Sequence, residues 1–179
     1  AFAIGQEFKR NTFAEWVNPQ QIVSSFLGKI LVYVCIFCFW TWSWMFWLAH
    51  IRGYFIAGSL SLILIAQFLL YFAYAVISST VVLATKDLPK TFGFIALYGG
   101  SSPSFSGITL PLNNAPAFTQ FWSMIIPYTP YAKLQTEQWV IGSDLWVSLL
   151  PFGILIIFSA LYFALSIHLL RKNTLEQRS

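Results

Sequence analysis

The sequence predicts an all-α, polytopic membrane protein with four transmembrane helices, a short cytoplasmic amphipathic helix and an outer re-entrant helical hairpin. Of its 179 residues, 58% are hydrophobic and only 9% are charged, whereas soluble domains carry about 25% charged residues. The apolar residues also form continuous runs long enough to cross a bilayer as helices. Such runs argue against a transmembrane β-barrel, whose strands alternate apolar and polar residues. The composition further excludes a disordered chain and a nucleic-acid module.

Two long apolar runs predict the first two spans. The run 22–49 follows an Asn-Pro pair and contains one charged residue, Lys29, in its first third. The run 55–85 begins just after Arg52 and ends before the polar segment 86–90. Each run exceeds the roughly 20 residues that a spanning helix needs.

Two further runs predict the third and fourth spans. The run 91–112 is interrupted by Gly99–Pro103, where two glycines and a proline weaken a regular helix. We expect a break or kink at that point. The run 145–170 is uninterrupted by charge and stops at the basic pair 171–172.

The stretch 113–141 differs from these spans. It contains the apolar pieces 115–126 and 131–141, divided by a Pro-Tyr-Thr-Pro sequence at 127–130. Neither piece reaches spanning length, and pieces of about 10–14 apolar residues are more often re-entrant or interfacial. We therefore predict an outer re-entrant region at about 113–141.

Residues 6–17 predict a short amphipathic helix that lies at a membrane surface or against a partner. Its aromatic side chains fall at helical spacing, and charged side chains surround them. The aromatic and neighbouring positions are Phe8, Thr12, Phe13 and Trp16, and the charged ones are Glu7, Lys9, Arg10 and Glu15.

The distribution of basic residues predicts the orientation. Four spans place both ends of the chain on one side, which holds eight Lys and Arg residues against two on the other. Cytoplasmic segments carry the excess of Lys and Arg, so both ends and the amphipathic helix are predicted to be cytoplasmic. The eight are Lys9, Arg10, Lys29, Lys86, Lys90, Arg171, Lys172 and Arg178, and the two are Arg52 and Lys133.

The sequence offers no candidate catalytic, metal-binding or cofactor-binding residues. No predicted span interior contains Asp, Glu or Arg, which argues against an ion-driven carrier and an intramembrane acid–base enzyme. No phosphate-binding G-x-x-x-x-G-K-[ST] loop is present, so energy from ATP would have to come through a partner. The pair Cys35 and Cys38 lacks accompanying ligands and is interpreted as packing thiols.

An aromatic run on the outer half of the first span has two interpretations. Residues 37–47 include four tryptophans and three phenylalanines. They form either an aromatic belt at the headgroup level or a surface that guides an amphiphilic substrate.

Three stretches, in the right order, resemble the ABC-2 type transporter permeases. The first is Glu7 to Thr12, followed by Gly28-Lys29, where Asn11 stands in place of the family's usual Gly. The second is Ile77-Ser78-Ser79. The third and most specific is Pro103-Ser104-Phe105-Ser106-Gly107 with Pro111, followed by prolines at 116 and 127.

The resemblance implies that the chain is the C-terminal part of the permease of an ATP-driven exporter and lacks two upstream spans. It implies an ATPase-coupling helix formed by Glu7, Phe8, Arg10, Thr12, Phe13 and Trp16. It also implies an external gate or re-entrant motif formed by Gly99, Gly100, Pro103, Ser104, Ser106, Gly107, Pro111, Pro116 and Pro127.

The same resemblance implies the partners. They are a nucleotide-binding ATPase subunit, which would bind ATP and Mg²⁺, and a second permease in a homodimer or heterodimer. The chain itself would hold no cofactor. The other expected partners are the lipid bilayer and a hydrophobic or amphipathic substrate, and no nucleic acid is expected. The expected location is a bacterial inner membrane. The alternative is a non-catalytic membrane anchor subunit of a respiratory or secretion assembly.

Overall fold

The computed structural model describes residues 1–10, 21–108 and 115–176, with residues 8–10 described by their backbone alone. Every regular element in these ranges is helical, which confirms the all-α prediction. The elements are α1 (Phe2–Arg10), α2 (Ile22–Ile51), α3 (Leu60–Thr85), α4 (Leu88–Phe105), α5 (Ala117–Ile125), α6 (Tyr128–Gln135), a π-helical turn (Thr136–Ile141) and α7 (Leu145–Glu176).

Three of the described helices are long and apolar enough to cross a membrane, judged by length and composition. They are α2, α3 and α7, with 30, 26 and 32 residues. Their outward side chains are largely exposed and apolar, as expected of surfaces that face lipid. The chain therefore has the helices of an integral membrane protein.

Helix α4 departs from the predicted third span. It begins at Leu88, runs through Gly99 and Gly100 without interruption and ends at Phe105, so the break predicted at Gly99–Pro103 is wrong in its position. Pro103 lies in the last turn of α4, where few backbone bonds remain to be lost. The helix ends where Gly107 takes a φ of +82°, a conformation that glycine adopts at little cost.

Helix α1 begins at Phe2, four residues before the predicted amphipathic helix at 6–17. Ile4 is buried, and a side chain on Gly5 would collide with Leu88 at the start of α4. The α1 backbone therefore packs closely against α4. Glu7 of α1 forms an ion pair with Lys29 of α2. Residues 11–17 of the predicted helix lie outside the described residues.

Helices α3 and α7 form a parallel pair joined by a regular series of hydrogen bonds. Donors on α7 bind carbonyl oxygens on α3, always with a sequence separation of 90 residues. The bonds run from Ser159 to Leu69 (3.4 Å), from Ser166 to Val76 (3.0 Å) and from Asn173 to Leu83 (2.9 Å). A constant separation requires parallel helices, and the seven-residue step is the period of left-handed helix packing. We call this series the α3–α7 seam.

The other long helices run antiparallel to this pair. The ring of Phe26, near the start of α2, packs against the ring of Phe163 in the second half of α7. Tyr74 of α3 contacts Ser102 near the end of α4. The bundle thus has a first end, which holds the start of α2 and the junction of α3 with α4. Its second end holds α5, α6 and the π-helical turn.

The junction at the first end is a two-residue turn. Lys86 takes a φ of +53° and closes α3, and Asp87 caps α4 by accepting the backbone N–H of Lys90 at 3.2 Å. That hydrogen bond, together with the nearby Lys90 side chain, lowers the pKa of Asp87 from its ordinary value of 3.8. Lys86 also binds Glu176 at the end of α7 at 2.6 Å. The turn therefore holds three helix ends together.

The seam predicts a position that does not tolerate a larger side chain. Ser166 is fully buried between α3 and α7, so Ser166→Leu should lower the free energy of unfolding by about 1–3 kcal/mol through overpacking. Ala164→Leu, on the exposed side of the same helix, should change it by less than about 0.5 kcal/mol. The free energy of unfolding of both variants is measured in detergent micelles. Equal changes in the two variants would contradict this packing.

Candidate functional site

A cavity of about 530 Å³ lies beside α3, on the side away from α7. Its walls come from α1, α2, α3 and α4, and most of its lining is apolar or aromatic. Lys29 lies at its rim and is part of the Glu7–Lys29 ion pair. The cavity therefore belongs to the half of the bundle that ends at the α3–α4 turn.

A second cavity of about 490 Å³ continues along the same side of α3 towards the other end of the bundle. It is lined by α3, α4 and α6, and it shares Tyr71, Tyr74, Ser78 and Ile95 with the first cavity. The shared residues make the two cavities neighbours in one continuous groove. This groove runs along α3 from near Lys29 to near Gln135.

A stripe of polar and aromatic side chains on α3 forms the floor of the groove. It consists of Gln67, Tyr71, Tyr74 and Ser78, which recur every three or four residues and so share one helix face. The Tyr71 hydroxyl lies 2.6 Å from the Thr41 hydroxyl of α2, and the Tyr74 hydroxyl lies 2.6 Å from Ser102 Oγ of α4. The stripe therefore connects α3 to both neighbouring helices.

The hairpin α5–α6 closes the groove at the second end and is attached to α4. The Tyr98 hydroxyl of α4 donates to the carbonyl oxygen of Ile125, at the end of α5. The Trp122 indole N–H donates to Ser101 Oγ at 3.2 Å. Both donors lie among aromatic rings in edge-to-face contact, so hydrogen bonds and ring packing together hold α5 against α4.

A second attachment joins the π-helical turn to the starts of α3 and α7. The Gln138 side chain accepts the N–H of Ser59 at 2.9 Å and donates to Ser148 Oγ at 2.9 Å and the Ser143 carbonyl at 3.0 Å. Ser148 in turn donates to the Glu137 carboxylate at 2.7 Å. Gln138 and Ser148 are fully buried, so each of these bonds satisfies a group that water does not reach. We call this network the Gln138 clasp.

Glycines permit the close approach on which the clasp depends. A Cβ on Gly58 would lie 2.5 Å from Gln138 Oε1 and 2.9 Å from the Gln138 carbonyl oxygen. Gly142 takes a φ of +70° and lies against Ala57. The backbone of 57–58 also donates to the carbonyls of Trp139 and Gln138, at 3.1 and 2.7 Å.

The predicted gate residues are distributed along α4 and the hairpin. Gly99 and Pro103 line the second cavity, whereas Gly100 and Ser104 are exposed. Ser106 donates to the Pro103 carbonyl at 2.8 Å and, with Gly107, ends α4. Pro116 and Pro127 immediately precede α5 and α6, and Pro111 lies outside the described residues. The structure thus assembles part of the predicted motif around the groove and uses the rest to begin or end helices.

Most of the predicted coupling residues lie outside the described residues. Glu7 is described and forms an ion pair with Lys29. The backbone of Phe8 and Arg10 is helical, but their side chains, like the whole of Thr12, Phe13 and Trp16, lie outside the described residues.

Sequence reasoning missed the tyrosines that line or close the groove and the residues of the Gln138 clasp. The sequence neighbours of Tyr74, Tyr98 and Gln138 do not mark them as special. The hydrogen-bond partners of the two tyrosines are 27 or more residues away in the sequence. One local signal was present: the stripe on α3 places a polar group at every helical turn of an otherwise apolar span. Such a stripe indicates a face turned away from lipid.

Comparison with known proteins finds one family. A model of the ABC-2 family transporter proteins matches residues 17–168. No curated protein matches the chain, and no solved structure does.

The clasp predicts that Gly58 cannot be replaced without loosening the second end. Gly58→Ala should speed hydrogen exchange of the amides of 57–59 by at least about tenfold, because its Cβ forces Gln138 out of place. Gly153→Ala is the matched control, since its Cβ would meet no atom within 4 Å. Unchanged exchange in Gly58→Ala would contradict the described contact.

Proposed function

Because the chain belongs to the ABC-2 transporter family, we propose that it is the membrane permease subunit of an ATP-driven exporter and forms its translocation path. Membership makes it a membrane transport component that is not itself catalytic. The observation that carries the proposal is the family match over residues 17–168. The groove along α3 supports the proposed path, because it gives a substrate a partly polar route inside an apolar bundle.

In this proposal α4 also crosses the membrane, in addition to α2, α3 and α7. Its 18 residues correspond to about 27 Å of helix, close to the roughly 30 Å of a bilayer's hydrocarbon core. Helix α4 is less apolar than the other three because it contains several Gly and Ser residues.

The first end of the bundle is proposed to face the cytoplasm. Its described residues include Lys86, Lys90, Arg171 and Lys172, whereas the second end has Arg52 and Lys133. This asymmetry follows the positive-inside rule. The hairpin α5–α6 then lies on the outer side, as an external gate over the groove, and a bacterial inner membrane is the proposed location.

Coupling to ATP is proposed to pass through the segment 6–17. Glu7 connects α1 to α2 through Lys29, so a force applied to this segment reaches a membrane-spanning helix directly. A nucleotide-binding subunit would supply ATP hydrolysis, with Mg²⁺ bound there. A second permease, identical or different, would complete the transporter. Movement of the two permeases against each other would open the path to each side of the membrane in turn.

Co-purification tests the proposal as a whole. The full-length native protein, tagged and isolated in mild detergent, should bring with it a stoichiometric ATPase that carries a phosphate-binding loop. Mass spectrometry identifies the co-purifying chains. Absence of any ATPase, under conditions that keep a known ABC transporter intact, would favour the alternative of a membrane anchor subunit.

Substitutions in the proposed coupling segment test the connection to ATP hydrolysis. Phe13→Asp and Trp16→Asp should leave the transporter assembled and its ATPase active but reduce transport per ATP at least about tenfold, because a charge disrupts an apolar docking contact. Phe13→Leu and Trp16→Phe keep the apolar character and serve as controls. Transport and ATP hydrolysis are both measured in vesicles. Unchanged transport per ATP in the Asp variants would refute this role.

A further inference from the structure

The last turns of α7 carry a basic surface on the side that faces away from the bundle. His168, Arg171 and Lys172 are all exposed. Because they are three and four residues apart, they lie next to one another on one face of the helix. We call these three residues the α7 basic face.

The opposite side of the same turns is packed against the rest of the protein. Asn173 and Thr174 are buried, and Asn173 donates to the Leu83 carbonyl of α3 at 2.9 Å. Glu176 binds Lys86 at 2.6 Å. These contacts fix the end of α7, so the α7 basic face keeps its outward position.

The charge of this face is only partly compensated. No ion pair between described residues includes Arg171 or Lys172. Glu176 is the only acidic residue of α7, and it is bound by Lys86. Lys172, one helical turn before Glu176, also attracts this carboxylate. Three basic side chains thus share one carboxylate, and the surplus of positive charge is complementary to an anionic group.

The basic face lies directly beyond an apolar one. Leu161 and Leu165, on the same side of α7, are 61% and 42% exposed, as expected of side chains that face lipid. The midpoint of the apolar run 145–170 lies about 20 Å along the helix from Arg171. The headgroup layer of a bilayer lies about 15–22 Å from its centre. The α7 basic face is therefore at the depth of the lipid phosphates.

We propose that the α7 basic face binds the headgroup of an anionic phospholipid. The Arg171 guanidinium can donate two parallel hydrogen bonds to one phosphate, and Lys172 adds a second positive charge beside it. The exposed leucines on the same side of α7 would contact the acyl chains. A zwitterionic phospholipid is bound less tightly, because its ammonium group is repelled by the same charges. This inference requires neither ATP nor a partner subunit and is independent of the proposed function.

Lipid retention by the full native protein tests this proposal. The protein is reconstituted in vesicles of equal parts phosphatidylglycerol, which is anionic, and phosphatidylcholine, which is zwitterionic. Native mass spectrometry then counts the lipids that stay bound. Wild type should retain about 5- to 25-fold more phosphatidylglycerol, because each basic residue near an anionic surface contributes roughly a fivefold preference. The double variant Arg171→Gln, Lys172→Gln should lower this ratio at least about fivefold.

Two further double variants serve as controls. Arg171→Lys with Lys172→Arg keeps the charge of the face and should keep the preference for phosphatidylglycerol. Arg52→Gln with Lys133→Gln removes the same charge from the second end of the bundle. There Lys133 already lies 4.0 Å from the Glu137 carboxylate, so this variant should also keep the preference.

Four results would overturn the inference. The first is equal retention of both lipids by wild type. The second is a preference for phosphatidylglycerol that survives in the Gln variant of the α7 basic face. The third is an equal loss in the Gln variants of both ends, which would reflect net charge alone. The fourth is the absence of a lipid preference together with loss of a co-purifying ATPase from the Gln variant, which would assign the face to a protein partner. Because the lipid assay uses neither nucleotide nor an ATPase, its failure would leave the permease proposal standing.

Discussion

The architecture depends on the α3–α7 seam. Between helices in a membrane the hydrophobic effect supplies little attraction, because lipid tails are as apolar as the side chains. Close packing and hydrogen bonds must therefore hold the helices together. Ser159, Ser166 and Asn173 provide both, since they are small or compact and each donates to a carbonyl of α3. Small buried residues on α3, such as Ala66 and Ala73, let the backbones approach closely enough for these bonds to form.

Once one face of α3 is occupied by α7, its other face determines the interior of the bundle. That face carries Gln67, Tyr71, Tyr74 and Ser78, so the space beside it is partly polar. Helix α4 is 18 residues long and leaves the second end of the bundle to the hairpin α5–α6. The groove is therefore a consequence of two features: a central helix with two different faces, and a neighbour that ends before the others.

The features that are local in sequence were predictable, and those that depend on distant partners were not. Apolar runs located α2, α3 and α7. Gly99 and Gly100 misled the prediction because Tyr98 and Ser102, beside them, are buried and bonded, so packing keeps this part of α4 helical. Gln138 resembles any polar residue near a turn, and only the fold shows that it meets Ser59, 79 residues away.

The hairpin is attached at two places to different parts of the bundle, and this limits how the second end can move. Tyr98 holds the end of α5 to α4, whereas the Gln138 clasp holds the π-helical turn to the starts of α3 and α7. Any displacement of α4 relative to α3 and α7 must therefore be absorbed between Ile125 and Glu137, or one attachment must break. The chain is extended at Ile126, with φ −100° and ψ 122°, and Pro127 follows. This short junction carries no helical hydrogen bonds across it, but Ile126 is fully buried in one cluster with Ile77 of α3 and Tyr98 of α4, so a change of direction there has to displace this packing as well.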